Sequence, residues 1–92
     1  MGVVWLHEAV ENLKQIRIYI SKDKPQSAKK VAQKIKKTIF LIKDNPSIGM
    51  PSLLSGFREM QVAGLPYVIP YKVSDNKIII VRIFHNKQNI IR

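Results

Sequence analysis

The sequence predicts an α+β fold in which an N-terminal strand leads into a helical hairpin packed on a mainly antiparallel four-stranded sheet, in the order β-α-α-β-β-β. Three observations predict it. Apolar residues recur at helical spacing in two runs between Leu6 and Ile42, separated by Ser21-Lys22-Asp23-Lys24-Pro25. Three strand-like segments follow, joined by the short connections Gly64-Leu65-Pro66 and Ser74-Asp75-Asn76, which implies an antiparallel meander. The last of these segments, Ile78 to Phe84, is apolar on both faces apart from Arg82, as befits a strand buried in the middle of a sheet.

The elements follow in order. Gly2 to Trp5 is short, apolar and β-branched, which suits an opening strand feeding directly into a helix. Leu6, Ala9, Leu13, Ile16 and Ile20 then form one stripe, with Glu11, Lys14 and Gln15 opposite. Pro25 fits the first turn of a second helix, where its missing N–H costs nothing. The stripe of that helix is Ala28, Val31, Ala32, Ile35, Ile39 and Ile42, and Asn45-Pro46 stops it. Pro46 to Gly56 is rich in turn formers and is expected to be a loop. The strands are expected at 57–63, 67–73 and 77–84. Pro70 is awkward within its strand, because it removes a ladder donor and belongs at an edge or a bulge. A hairpin on one side of the sheet leaves the other side for a ligand or partner.

Ninety-two residues suffice for a single domain, 1–92, because so short a chain has no apolar material for a second core. No apolar run approaches the roughly 20 residues that span a bilayer, and no secretory leader is readable, so the expected location is the cytoplasm. The absence of cysteine fits a reducing compartment and excludes disulfides and thiolate metal sites. His7 and His85 are far apart in sequence, so no metal site and no cofactor is expected.

Charge dominates the composition. Sixteen Lys and Arg face six Asp and Glu, and eight lysines fall between Lys22 and Lys43. A field of that sign speeds encounter with nucleic acid or with an acidic protein. On the second helix Lys29, Lys30, Lys34 and Lys37 lie away from the core stripe, and together with Lys87 they are candidates for phosphate or target contact; the plainer alternative is a solvated face. Ile18, Phe40 and Leu41 project away from the main stripes of their helices. A broad apolar arc between a partner helix and the sheet would absorb them, or they form a patch that meets a partner chain.

Taken together and in order, these residues resemble the RelE/ParE toxins along nearly the whole chain. The matching pieces are Trp5-Leu6 with Ala9 and Leu13, Ile16 to Ile20, Ala28, Asn45-Pro46 with Gly49, Gly56-Phe57-Arg58-Glu59-Met60, Pro66-Tyr67-Val68-Ile69 with Tyr71-Lys72-Val73, and Ile83-Phe84-His85 with Gln88. The resemblance implies the fold derived above, the toxin of a type II toxin–antitoxin system, and a cognate antitoxin as partner in a hetero-oligomer. It implies one of two targets: DNA gyrase, inhibited by ParE-like toxins, or the ribosome with its mRNA, where RelE-like toxins act as endoribonucleases.

RNA cleavage by its own 2′-OH needs a base, a proton donor and positive charge near the transition state. Arg58, Arg82 and His85 are the candidates for the cationic and acid roles, with Glu59 or His85 as base. Each has a structural alternative: Arg58 paired with a carboxylate, Arg82 compensated by a partner within its apolar strand, and His85 held by hydrogen bonds. His7, at the start of the first helix, is read as structural. Ribosome-dependent members of the family carry an aromatic or further basic groups near the C-terminal end, where this chain has Asn86 after His85, so it resembles the ParE branch more closely. The antitoxin is expected to be acidic or amphipathic and to contact Ile18, Phe40 and Leu41.

Overall fold

A computed structural model describes residues 1–88. Strand β1 (Gly2–Trp5) runs into helix α1 (His7–Ser21), a short link leads to helix α2 (Pro25–Asp44), and strands β2 (Met50–Pro51), β3 (Arg58–Gln61), β4 (Tyr67–Ser74), β5 (Lys77–Ile80) and β6 (Phe84–His85) follow, with a 3₁₀ turn at Asn86–Gln88. The sheet order is β1-β5-β4-β3-β2, and β6 pairs with β4 beyond the end of β5. β1 runs parallel to β5, in register Val3 with Ile78 and Trp5 with Ile80, and the other pairings are antiparallel. The expected α+β architecture is therefore present, with the mixed pairing confined to the edge strand β1.

Local chemistry explains the elements. Leu6 caps α1 without a side-chain hydrogen bond, and its own N–H donates to Ile80 O at 3.0 Å, which ties the helix start to β5. Pro25 opens α2 at its first turn. Ala28, Ala32, Ile35, Ile39 and Ile42 of the expected α2 stripe are buried, together with Thr38, whose hydroxyl donates back to Lys34 O at 2.8 Å. β4 and β5 are joined by Asp75 and Asn76, both at positive φ, the two-residue turn whose twist matches a hairpin. The helices cover the sheet face that carries Ile78, Ile80, Ile69, Tyr71 and Tyr67, and Val3, Trp5 and Met60 pack at its margin.

Three expectations are corrected. The segment 46–56 is not all loop, because Met50 and Pro51 pair with Glu59 and Arg58 to make a short edge strand. Leu6, expected in the α1 stripe, is exposed. The strand expected at 77–84 is broken. Val81 N still donates to Pro70 O at 3.0 Å, in line with the β4–β5 register, but Phe84 pairs with Val68, one residue out of that register. One extra residue therefore sits between Val81 and Phe84. The break lies opposite Pro70, which has no N–H to return Val81's bond, so a proline in the central strand is accommodated by a bulge in its neighbour.

Candidate functional site

Three regions of the surface carry chemistry. The first is the C-terminal part of the sheet, where sequence placed Arg58, Arg82 and His85. Arg58 pairs with Tyr71 and so shares the helix-covered face. Its Nη1 donates to Gly49 O at 2.7 Å. Gly49 N in turn donates to Tyr71 Oη at 3.0 Å, and Tyr71 Oη donates to Pro46 O at 2.6 Å. Arg58 thus belongs to a partly buried knot that pins the α2–β2 connection onto the sheet. Arg82 lies with its guanidinium 4.6 Å from the centre of the Phe84 ring. Phe84 pairs with Val68 and His85 with Tyr67, so these two neighbours face opposite sides of the sheet. His85 faces the helices, edge-on to Tyr67 at 5.6 Å, and its Nδ1 accepts a hydrogen bond from Lys87 N at 3.1 Å.

The structure does not bring these three groups together. The partners of Arg58 and His85 on β4 are four residues apart, about 13 Å along a strand, and β3 and β6 lie on opposite sides of β4, which adds about 10 Å across it. Arg82 stands on the other face from both. Glu59, half-buried on that other face, accepts a hydrogen bond from Ser52 Oγ at 3.4 Å.

The second region is the outer seam of the helical hairpin. At its β1 end is an apolar hollow of about 480 Å³, lined by Val3 and Trp5 of β1, Val10 and Leu13 of α1, and Ile39, Phe40, Lys36 and Lys43 of α2. A smaller hollow continues toward the link between the helices, lined by Lys14, Arg17, Ile18, Ser21, Pro25, Ala28 and Lys29. Lys29, Lys36, Phe40 and Lys43 fall on one flank of α2 by their spacing of seven, four and three residues. The seam thus alternates apolar side chains with cations. Phe40 is 65% exposed and Ile18 51% exposed at its two ends. Leu41 is also exposed but lies on the opposite flank of α2, with Lys30, Lys34 and Lys37. Sequence reasoning found Phe40 and Ile18 and missed the floor of the hollow, because Val3 and Trp5 were read only as part of an opening strand and Val10 falls outside the α1 stripe.

The third region is a cleft of about 550 Å³ on the other flank of α1, lined by Asn12, Gln15, Ile16 and Tyr19 and closed by Tyr67, Ile83, Phe84 and His85. Asn12 Oδ1 accepts from Ile83 N at 2.9 Å and so holds the bulged segment against α1. Burial pushes the Tyr67 phenol above its ordinary value of 10.0, and the neighbouring Tyr19 phenol adds to the shift. Lys87 is exposed beside His85. Residues 89–92 lie outside the described residues.

Among the described residues no three His, Cys, Asp or Glu side chains gather as metal ligands, and no helix is long and apolar enough to cross a membrane.

Comparison with known proteins agrees with this fold. The family model described as the ParE toxin of the type II toxin–antitoxin system, parDE, matches residues 3–90. Toxin RelE2 of Caulobacter vibrioides is 36% identical over 83 residues, covering 90% of this chain and 92% of that protein. Y4kP of Sinorhizobium fredii is 32% identical over 84 residues, covering 91% and 86%. Among solved structures, a chain of the chromosomal ParDE system from P. aeruginosa superimposes with a TM-score of 0.85 at 26% identity, covering 92% of this chain and 95% of that one. YafQ from E. coli shares the fold at a TM-score of 0.66 and 16% identity, covering 97% of both chains.

Proposed function

Because this chain belongs to the ParE toxin family of type II toxin–antitoxin systems, we infer that it is a cytoplasmic growth inhibitor that binds and inhibits DNA gyrase, without covalent chemistry, until a cognate antitoxin neutralises it. The observation that carries the choice between binding and catalysis is the dispersal of Arg58, Arg82 and His85. Arg58 donates to Gly49 O, Arg82 lies against the Phe84 ring, and His85 faces the opposite side of the sheet from Arg82. A ribonuclease needs its base, acid and cation within hydrogen-bond reach of one phosphate. Here a target would have to rebuild the sheet edge to assemble them.

The cationic side chains suit binding. With a formal charge of +10, at least ten cations have no acid to balance them. Lys29, Lys30, Lys34 and Lys37 on α2 and Lys87 after β6 are the target contacts, through long-range attraction to a polyanion. The antitoxin contacts are Phe40 and Ile18 along the hairpin seam, with Leu41 on the far flank of α2. An acidic amphipathic helix fits the seam best: its apolar side fills the hollow over Trp5 and Val10, and its carboxylates meet Lys36 and Lys43.

Purified toxin is tested on gyrase with relaxed plasmid and, separately, on translating ribosomes. Loss of supercoiling with intact messenger is the expected result. Codon-phased cuts in messenger, with gyrase unaffected, would replace this reading by that of a RelE-like endoribonuclease.

A further inference from the structure

The cleft beside α1 is lined by residues on the other flank of that helix from the seam, and its walls are unusual for a surface hollow. Tyr19 presents its ring to solvent at 75% exposure, although a ring of that size is favoured in the core or at an interface. Facing it are Tyr67 and the His85 ring, already in edge-to-face contact. On the same wall, one turn before Tyr19 on α1, is Gln15, whose carboxamide offers a donor and an acceptor side by side. The volume, about 550 Å³, falls in the range of small-ligand sites and suits one flat, polar-edged ring.

We propose that this cleft takes an unstacked nucleobase from a single-stranded nucleic acid, stacked on Tyr19 against the Tyr67–His85 wall and read along its edge by Gln15. Every base has an aromatic face and an edge of donors and acceptors, which are the two features the cleft complements. The charge pattern orients the strand. Lys22, three residues beyond Tyr19 and just past the end of α1, and Lys87, two beyond His85, are exposed cations for the phosphates, whereas Glu8, one turn before Asn12, marks the end the backbone avoids. The inference goes beyond the gyrase reading and does not depend on it, since a base-binding cleft serves any target that carries open strands.

The test is fluorescence anisotropy with short labelled oligodeoxyadenylate, oligoriboadenylate, a same-length abasic strand and free adenosine monophosphate, on the full chain. The abasic strand keeps the phosphates and lacks the base, so it isolates simple charge attraction. The expected result is that wild type binds the base-bearing strands about tenfold more tightly than the abasic one, and that Tyr19→Ala removes this difference while Tyr19→Phe keeps it. Adenosine monophosphate at high concentration should compete. Equal affinity for abasic and base-bearing strands, or a Tyr19→Ala protein as discriminating as wild type, overturns the proposal. Tyr19 is exposed, so the variant is expected to fold, and a helical circular dichroism spectrum checks it. Because the readout is binding alone, its failure leaves the supercoiling result untouched, and the converse holds.

Discussion

Of the four glycines, Gly49 is the one whose replacement by alanine should damage this fold most. A Cβ at Gly49 would stand 2.7 Å from Tyr71 Oη, 2.8 Å from Glu59 O and 2.8 Å from Tyr71 Cε1. Carbon rarely approaches such atoms within 3.4 Å, so the overlap is about 0.6 Å at three atoms of two groups, the Tyr71 ring and the Glu59 carbonyl. None of the three can step aside cheaply. Glu59 O belongs to a paired strand, and Tyr71 is fully buried, with its hydroxyl engaged by Gly49 N and Pro46 O. Overpacking of this kind costs about 1–3 kcal/mol, and loosening the Tyr71 hydrogen bonds adds about 1 kcal/mol, giving roughly 2–4 kcal/mol in all. For a domain whose whole stability is of order 5–14 kcal/mol, that is a large fraction. Urea unfolding followed by circular dichroism reads it as a midpoint lowered by about 2 M or more, taking a slope near 1 kcal/mol per M. The cause is checked in a Tyr71→Phe background, where one of the three clashes is gone, so Gly49→Ala should cost about 1 kcal/mol less there. A Gly49→Ala midpoint within error of wild type, or identical costs in both backgrounds, would refute the account of this knot.

Other outcomes follow from the same geometry. Arg58→Met should lower stability by about 1–2 kcal/mol through loss of the bond to Gly49 O, yet leave inhibition per folded molecule unchanged; inhibition lost without loss of stability would return Arg58 to a functional role. Phe40→Glu, at an exposed position, should alter stability by less than about 0.5 kcal/mol but weaken antitoxin binding at least about tenfold, as measured by calorimetry on the purified pair. Alkaline unfolding should depend on Tyr67. Its phenol is held above 10.0 in the folded state, so it contributes stability below the unfolded value, and that contribution is lost as pH rises from about 10 through the folded value. Tyr67→Phe should therefore lose less stability than wild type over that alkaline window, and parallel curves would contradict the assignment.

Much of the fold was legible in the chain because the signals are local. The α2 stripe, the helix stop at Asn45-Pro46 and the Asp75-Asn76 turn each depend on neighbours within a few residues, and each is found where expected. Strand ends were read less well. The segment to Phe84 looked continuous because its composition is uniformly apolar, whereas its break is imposed by Pro70 on the adjacent strand, eleven residues earlier in sequence. Met50–Pro51 has little strand character of its own and is extended only because β3 offers it an edge.

The candidate site divides in the same way. Residue order and charge determined the family pattern, the cationic second helix and the outlying apolar residues Ile18 and Phe40, since periodicity alone says which side chains a helix cannot bury. Only the folded chain decided what each group faces. It put Arg58 against Gly49, turned Phe84 and His85 to opposite sides of one short strand, and set Tyr19 across a cleft from Tyr67. The contacts of Arg58 and Tyr19, and the pairing of Phe84 with Val68 and His85 with Tyr67 that fixes their sides, join positions from nine to several tens of residues apart, so no window of sequence contains them.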